Sequence, residues 1–384
     1  MAAERQLSTD GFAARAALFY AVSCILLGMH MPFFPVWLQA KGFAASEVGA
    51  ILAATALVRV LSVPTATHAA DRRFDIRDVM IAFAAVTAAG FCALGFADRP
   101  WTIIALTVVT AFAHTPAMAL LDAYALRGLK ARGRAYGPVR LWGSAAFILA
   151  NLGAGFAFDL IAARDLIWLL AASAVLIALV ATRMPRLPSP HLGEAAASTA
   201  PLWRDGRFLA VVMAASLVQS SHALYYGFST IAWTAAGLDG LAIGALWALG
   251  VIAEIVLFAM SGRLPPALGP LPLLLIGAGG ATLRWSVMAL DPPGWTLPLL
   301  QCLHALSFGA SHLAAITFIA TTVHDGRGAT AQGYFSVLQG LTLSACLLLA
   351  GFLYASIGVA SYAAMALVAF LGGCIAAAAM RRRR

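Results

Sequence analysis

Arg59, Asp122, Arg140, Glu254, Arg284 and His304 lie within or at the edges of long apolar runs, in a chain of 384 residues of which only 11% are charged. An ionised side chain held inside a bilayer costs at least a few kcal/mol unless it is paired or faces water, so residues of this kind default to function. Glu254, Arg284 and His304 are the types a proton relay needs. The carboxylate takes up a proton, the imidazole can hold one, and the fixed guanidinium charge biases both. Moving one proton among them changes which pairing is favoured. The competing reading is structural: an ion pair locking two helices or, for His304, a neutral ring bonded to a carbonyl.

Membrane helices must position these groups. The apolar set makes up 62% of the chain, about 238 side chains, enough for about twelve spans at about 20 residues each. A soluble domain carries about a quarter charged residues, so an ordinary soluble enzyme and a nucleic-acid binder are excluded. Apolar runs broken by polar punctuation predict spans at 13–38, 46–69, 78–97, 101–125, 139–158, 166–182, 208–235, 241–260, 270–290, 295–322, 331–356 and 359–380. The fold class is an all-α polytopic membrane protein of twelve transmembrane helices in two six-helix halves, 1–182 and 208–384. Residues 183–207 carry Pro185, Pro188, Pro190 and Pro201 and a small-residue run, the composition of a cytoplasmic linker.

The net charge of +9 sorts by side. With the N-terminus cytoplasmic, 20 of the 25 Lys and Arg fall on the inner face, against Lys41, Arg99 and Arg164 outside. This predicts both termini in the cytoplasm of an inner-membrane protein. The basic surplus therefore reports topology and contact with anionic lipid rather than a nucleic-acid partner. The first apolar run is long and lacks a small-residue cleavage site, so a retained helix is expected. The five cysteines fall inside predicted spans without paired spacing, as packing residues and not metal ligands.

Two segments repeat. Gly42, Gly49, Arg59 and Thr67 are matched by Gly237, Gly244, Glu254 and Gly262 at a constant offset of 195, and Tyr136-Gly137 by Gln332-Gly333 at 196. Parallel repeats of this kind place a substrate site near the midplane. Arg59 and Glu254 then lie at matching depths, each about 18–20 Å from the outer end of its span. Arg284 and His304 are level with each other nearer the outer surface. His312 is turned about 80° away from His304 along a regular helix, so only one of the two need face a cavity, and His312 reads as a ring bonded to a carbonyl. Gln219, His222 and Tyr226, at i, i+3 and i+7, share a face that lines a cavity or packs against a helix. His30 adjoins the Pro32/Pro35 break, which frees carbonyls for a cavity.

The runs Met31–Leu38 (MPFFPVWL), Tyr136–Ser144 (YGPVRLWGS), Leu246–Ile255 (LWALGVIAEI) and Gln301–His312 (QCLHALSFGASH) resemble the phenylpropionate permease group of the major facilitator superfamily, a relative of lactose permease. The resemblance runs from about Leu18 to Gly358. It implies that Glu254, Arg284 and His304 correspond to the permease's helix-8 Glu, helix-9 Arg and helix-10 His, the coupling set. It also implies that Asp122 and Arg140, eighteen residues apart, correspond to its substrate-binding acid and Arg. Span counting alone places that second pair near the inner face.

The departures are specific. Ser307 stands where the permease has its proton-carrying Glu, Gln301 where it has a Lys, and no aspartate lies between Gln219 and Trp233. Glu254 is then the remaining central acid. Phe147 replaces the Trp that stacks on sugar, which suits a planar aromatic acid whose carboxylate sits on Arg140, Arg284 or Arg59. The loop from Asp71 and Arg72 to Arg77 resembles the superfamily's gate signature, with Thr67 and Phe74 in place of its glycines.

The sequence thus predicts a proton symporter importing a small organic substrate such as a phenylpropionate-like acid by alternating access. It needs no cofactor beyond the proton gradient, and its partners are substrate, proton and membrane lipid. Candidate substrate contacts are Asp122, Arg140, Phe147, Arg59, His30, Gln219 and Tyr226. A nucleoside or oligosaccharide symporter and a drug-type efflux antiporter compete, as do a non-transporting receptor and a polytopic enzyme. No nucleophile elbow, zinc His-Glu pair or acidic metal cluster supports the enzyme.

Overall fold

The computed structural model describes residues 11–187, 202–263, 265, 268–323 and 328–381. The part of the expected linker between Leu187 and Leu202, and residues 382–384, lie outside them. Every regular element among the described residues is helical. In chain order these are α1 (Phe12–Ala40), α2 (Ala45–Arg72), α3 (Ile76–Gly95), α4 (Pro100–His114), α5 (Ala117–Lys130), α6 (Gly137–Leu160), α7 (Leu166–Thr182), α8 (Gly206–Ser220), α9 (Ala223–Ala235), α10 (Gly240–Met260), α11 (Pro270–Met288), α12 (Leu297–Cys302), a π segment (Ala305–Ala310), α13 (Ser311–Thr322), α14 (Gly328–Ile357) and α15 (Tyr362–Arg381), with short 3-10 turns between some of them.

Eleven continuous helical stretches among the described residues are long and apolar enough to cross a membrane. The last covers 52 residues, from Thr330 to Arg381. It holds both α14 and α15, joined by a 3-10 turn at Gly358–Ser361 with Gly358 at φ +58°. The expected twelve follows when that stretch is read as two crossings. Helix ends obey local chemistry. Asp75 and Asp205 accept first-turn N–H groups of α3 and α8, and prolines open α4 and α11, where their missing N–H costs nothing.

Three predicted spans are interrupted. The fourth divides into α4 and α5 at Thr115–Pro116, because a proline cannot donate to the preceding turn. The seventh breaks between α8 and α9 at Ser221–His222, and the tenth is split by the π segment.

The chain forms two compact units. Unit 1 comprises residues 1–43, 58–191 and 238–245; unit 2 comprises 44–57, 192–237 and 246–384. In unit 1, α1 packs on α6 and α7, and α3 on α7 and α4. In unit 2, α15 packs on α11 and α8, and α14 on α8 and α9. Lipid is as apolar as leucine, so close van der Waals approach drives such packing, and small residues permit it. A Cβ on Gly28 would meet Phe147 O at 2.8 Å, and one on Gly372 would meet Ala214 O at 2.9 Å.

The repeat is visible in backbone geometry. Gly42 and Gly237 occupy equivalent turns at φ +95° and +87°, a region that glycine enters without strain. Each of the next pair sits at a backbone-on-backbone crossing. A Cβ on Gly49 would lie 2.5 Å from Gly351 Cα in unit 2, and one on Gly244 would strike Asn151 O in unit 1.

Candidate functional site

In unit 2, α11 carries Arg284 into the interior, where its side chain is fully buried. A guanidinium only donates hydrogen bonds, so its contacts assign their partners' roles. One terminal nitrogen donates to His304 Nδ1 at 3.0 Å and to Ser307 Oγ at 3.3 Å, and the other to Gln301 Oε1 at 2.6 Å. His304 must accept at Nδ1, so the ring is neutral and its proton is on Nε2. That nitrogen faces Glu254 Oε2 at 3.7 Å, slightly beyond hydrogen-bond length.

The same logic extends the chain in the other direction. Ser307 Oγ lies 3.0 Å from His222 Nε2, which accepts its hydroxyl proton in the neutral ring because Nδ1 carries the ring proton. His222 Nδ1 then donates to Gln219 O, also at 3.0 Å. Glu254, Arg284 and His304 are therefore brought together, as their residue types predicted, and Gln219 and His222 join them from the break between α8 and α9. Both are interior residues. Gln219 Oε1 accepts from Gln339 Nε2, and Tyr226 stacks on His222 with ring centres 5.7 Å apart. The faces of Tyr225 and Trp285, 4.8 and 4.6 Å from the guanidinium carbon, surround the Arg284 charge. Arg284 Nε, Gln301 Nε2 and Gln219 Nε2 are buried donors without protein acceptors, so the cluster has unused capacity for an acceptor.

The π segment changes one expectation. His304, Phe308 and His312 form a column of parallel rings, with centres 5.4 and 5.7 Å apart and planes within 2° and 5°. A regular helix would have rotated His312 away. The wider π turn advances each residue through a smaller angle, which returns steps of four to one face. His312 also lacks the expected carbonyl partner, because its Nδ1 is buried without a hydrogen bond.

In unit 1, Asp122 on α5 accepts from Tyr20 Oη at 2.5 Å and from Tyr136 Oη at 2.8 Å, both at Oδ1. Arg140 lies over the Tyr20 ring, 5.4 Å from its centre. No ion pair joins Asp122 to Arg140 among the described residues. Phe147 is buried, and its carbonyl accepts from Asn151 Nδ2 at 2.8 Å.

Arg59 and His30, predicted separately, line one cavity of about 300 Å³ within unit 1. His114, which sequence reasoning passed over, lines it with them, its ring centre 5.6 Å from that of His30. The available signal was an ionisable residue two positions before Pro116, the reasoning that singled out His30 beside Pro32. The backbone of Asp71 and Arg72 closes α2, while their side chains, and with them the gate expectation, lie outside what is described. Among the described residues no group of three or more His, Cys, Asp or Glu side chains could hold a metal ion.

An all-helical, multi-span protein with a buried ionisable cluster in one unit and a cavity lined by an arginine in the other is built as a membrane transporter. The family model described as "MFS_1 like family" matches residues 14–365, and the chain belongs to that family of the major facilitator superfamily. It is 32% identical over 362 residues to the "Probable 3-phenylpropionic acid transporter" of Escherichia coli (strain K12), covering 92% of this chain and 94% of that protein. It is 27% identical over 359 residues to the maltose permease of Geobacillus stearothermophilus, covering 89% of each. Among solved structures, the nucleoside transporter NupG superposes with a TM-score of 0.80 at 16% identity, covering 96% of this chain and 98% of that one. These relatives are transporters and not enzymes.

Proposed function

We propose that the protein is a proton-coupled symporter that imports a small aromatic monocarboxylate across the inner membrane. Both termini are cytoplasmic, and the halves 1–182 and 208–384 alternate access, joined by the 183–207 linker. The observation that carries the coupling is the fixed polarity of the unit 2 chain. Arg284 holds His304 neutral, with its one ring proton aimed at Glu254.

Glu254 is the group best placed to load. Its side chain is 18% exposed against 8% for His304, and Arg284 is fully buried. The ionised carboxylate is drawn to His304 Nε2–H and balances the guanidinium across the ring. Adding a proton to Glu254 cancels that balance and leaves Arg284 as an uncompensated buried charge, a state that favours rearrangement or an incoming anion. One proton and one monocarboxylate together carry no net charge.

The aromatic acid is supported by the 32% identity to the Escherichia coli protein over most of both chains. The second reading, an oligosaccharide symporter, is supported by the maltose permease likeness. Replacing Glu254 by Gln tests the coupling. Proton-driven accumulation should disappear while counterflow exchange of substrate persists, and unimpaired uphill uptake by E254Q would remove Glu254 as the carrier.

A further inference from the structure

We propose that the cavity inside unit 1 is a binding site for an aromatic monocarboxylate, with the carboxylate on Arg59 and the ring among the apolar side chains opposite. This placement rests on the transport reading above and locates the substrate within it.

Arg59 is a cation inside a membrane-spanning helix, and among the described residues it has neither an ion pair nor a hydrogen bond. No Asp or Glu lines the cavity it faces. Arg59 is an exposed residue, so water can solvate its guanidinium, and an anion with two acceptor oxygens can take that water's place through forked hydrogen bonds. In unit 2 the equivalent repeat position is Glu254, which lies among buried partners, so the bare charge at Arg59 is not a general property of the fold.

The neighbouring groups also suit an anion. Ser62, one turn beyond Arg59, meets Thr115 Oγ1 at 2.6 Å and so holds this part of α2 against the α4–α5 break. His30 and His114 make ring contacts but no hydrogen bonds among the described residues, which leaves ring N–H groups free to donate. Ala117 and Met118, the first residues of the fourteen-residue helix α5, line the cavity too. A helix start adds unsatisfied N–H groups and the positive end of its dipole.

The rest of the wall is carbon, from Phe19, Leu27, Met80, Phe83 and Ile177. Two of the few hydroxyls are already engaged, Thr87 with Phe83 O at 2.8 Å and Thr115 with Ser62 at 2.6 Å. A sugar or nucleoside would bury many hydroxyls against this wall without partners. A single-ring acid buries one charged end on Arg59 and an apolar body on carbon. The volume, about 300 Å³, is at the small end of ligand pockets, which suits one ring.

The test is calorimetric titration of the purified full-length protein with 3-phenylpropionate and with its neutral amide. The wild type should prefer the acid, and Arg59→Gln should weaken acid binding by about tenfold or more while leaving amide binding nearly unchanged. Because Gln removes an unpaired charge, the variant should unfold at or above the wild-type temperature, separating lost recognition from lost structure. An Arg59→Gln protein that keeps the wild-type preference for the acid overturns the placement and leaves the transport reading standing. Should that variant fail to purify, Ala84→Trp, which fills the cavity, must abolish acid binding, and undiminished binding overturns the placement equally. If the wild type binds uridine or maltose and neither phenyl compound, the aromatic-acid reading fails, and this placement with it.

Discussion

At Arg284 a donor-only side chain determines the protonation of its neighbours. His304 must accept at Nδ1, while the Gln219 carbonyl places the His222 proton on Nδ1 and so, in the neutral ring, turns the Ser307 hydroxyl toward His222 Nε2. Ser307→Ala should leave His222 Nε2 and part of Arg284 without partners and destabilise the protein by about 1–3 kcal/mol. A lowered thermal midpoint measures this, and an unchanged midpoint would show that the serine link is idle. Arg284→Lys preserves charge but not the fork that reaches His304 and Gln301 together, so transport should fall sharply in uptake assays even where the variant folds. Glu254, Arg284, His304 and Arg59 were legible in the sequence because ionisable types stand out in apolar runs. Ser307 and His222 were not legible as members of the Arg284 hydrogen-bond cluster, since neutral polar residues are common in membrane helices and only partner geometry reveals their contacts. Asp122 was legible as an unusual acid, but its engagement by Tyr20 and Tyr136 was not, because those residues lie 102 and 14 positions away.

At the scale of elements, apolar runs located the helices to within a few residues, whereas the interruptions were only partly foreseen. Pro116 announces the α4–α5 break through its missing N–H. The π segment has no such marker, and it is what stacks His304, Phe308 and His312 against the expectation of a regular helix. Repeated glycines do carry a readable signal. Gly49 lies where α2 and α14 meet backbone to backbone, with Gly351 Cα 2.5 Å from any added Cβ. Gly49→Val should therefore lower thermal stability by about 1–3 kcal/mol or more, since both partners are backbone and neither can move aside cheaply. Gly262→Ala, with nothing within 4 Å of its added Cβ, should leave the melting temperature near the wild-type value.

For the whole molecule, the sequence supports a multi-span helical fold with an internal repeat, and the family match over residues 14–365 agrees with it. What composition could not supply is how the ionisable groups are shared between the units: a hydrogen-bonded cluster around Arg284 in one and a cavity lined by Arg59 in the other, with the repeat-related Arg59 and Glu254 in different chemical surroundings. Together they predict cotransport of one proton with one carboxylate. Uptake should respond to a pH gradient and be insensitive to an imposed membrane potential. The most direct test is 3-phenylpropionate uptake into proteoliposomes holding the wild-type protein, with an inward proton gradient and the membrane potential clamped at zero. The account predicts accumulation above the external concentration that collapses when a protonophore is added; equal uptake with and without the gradient would contradict it.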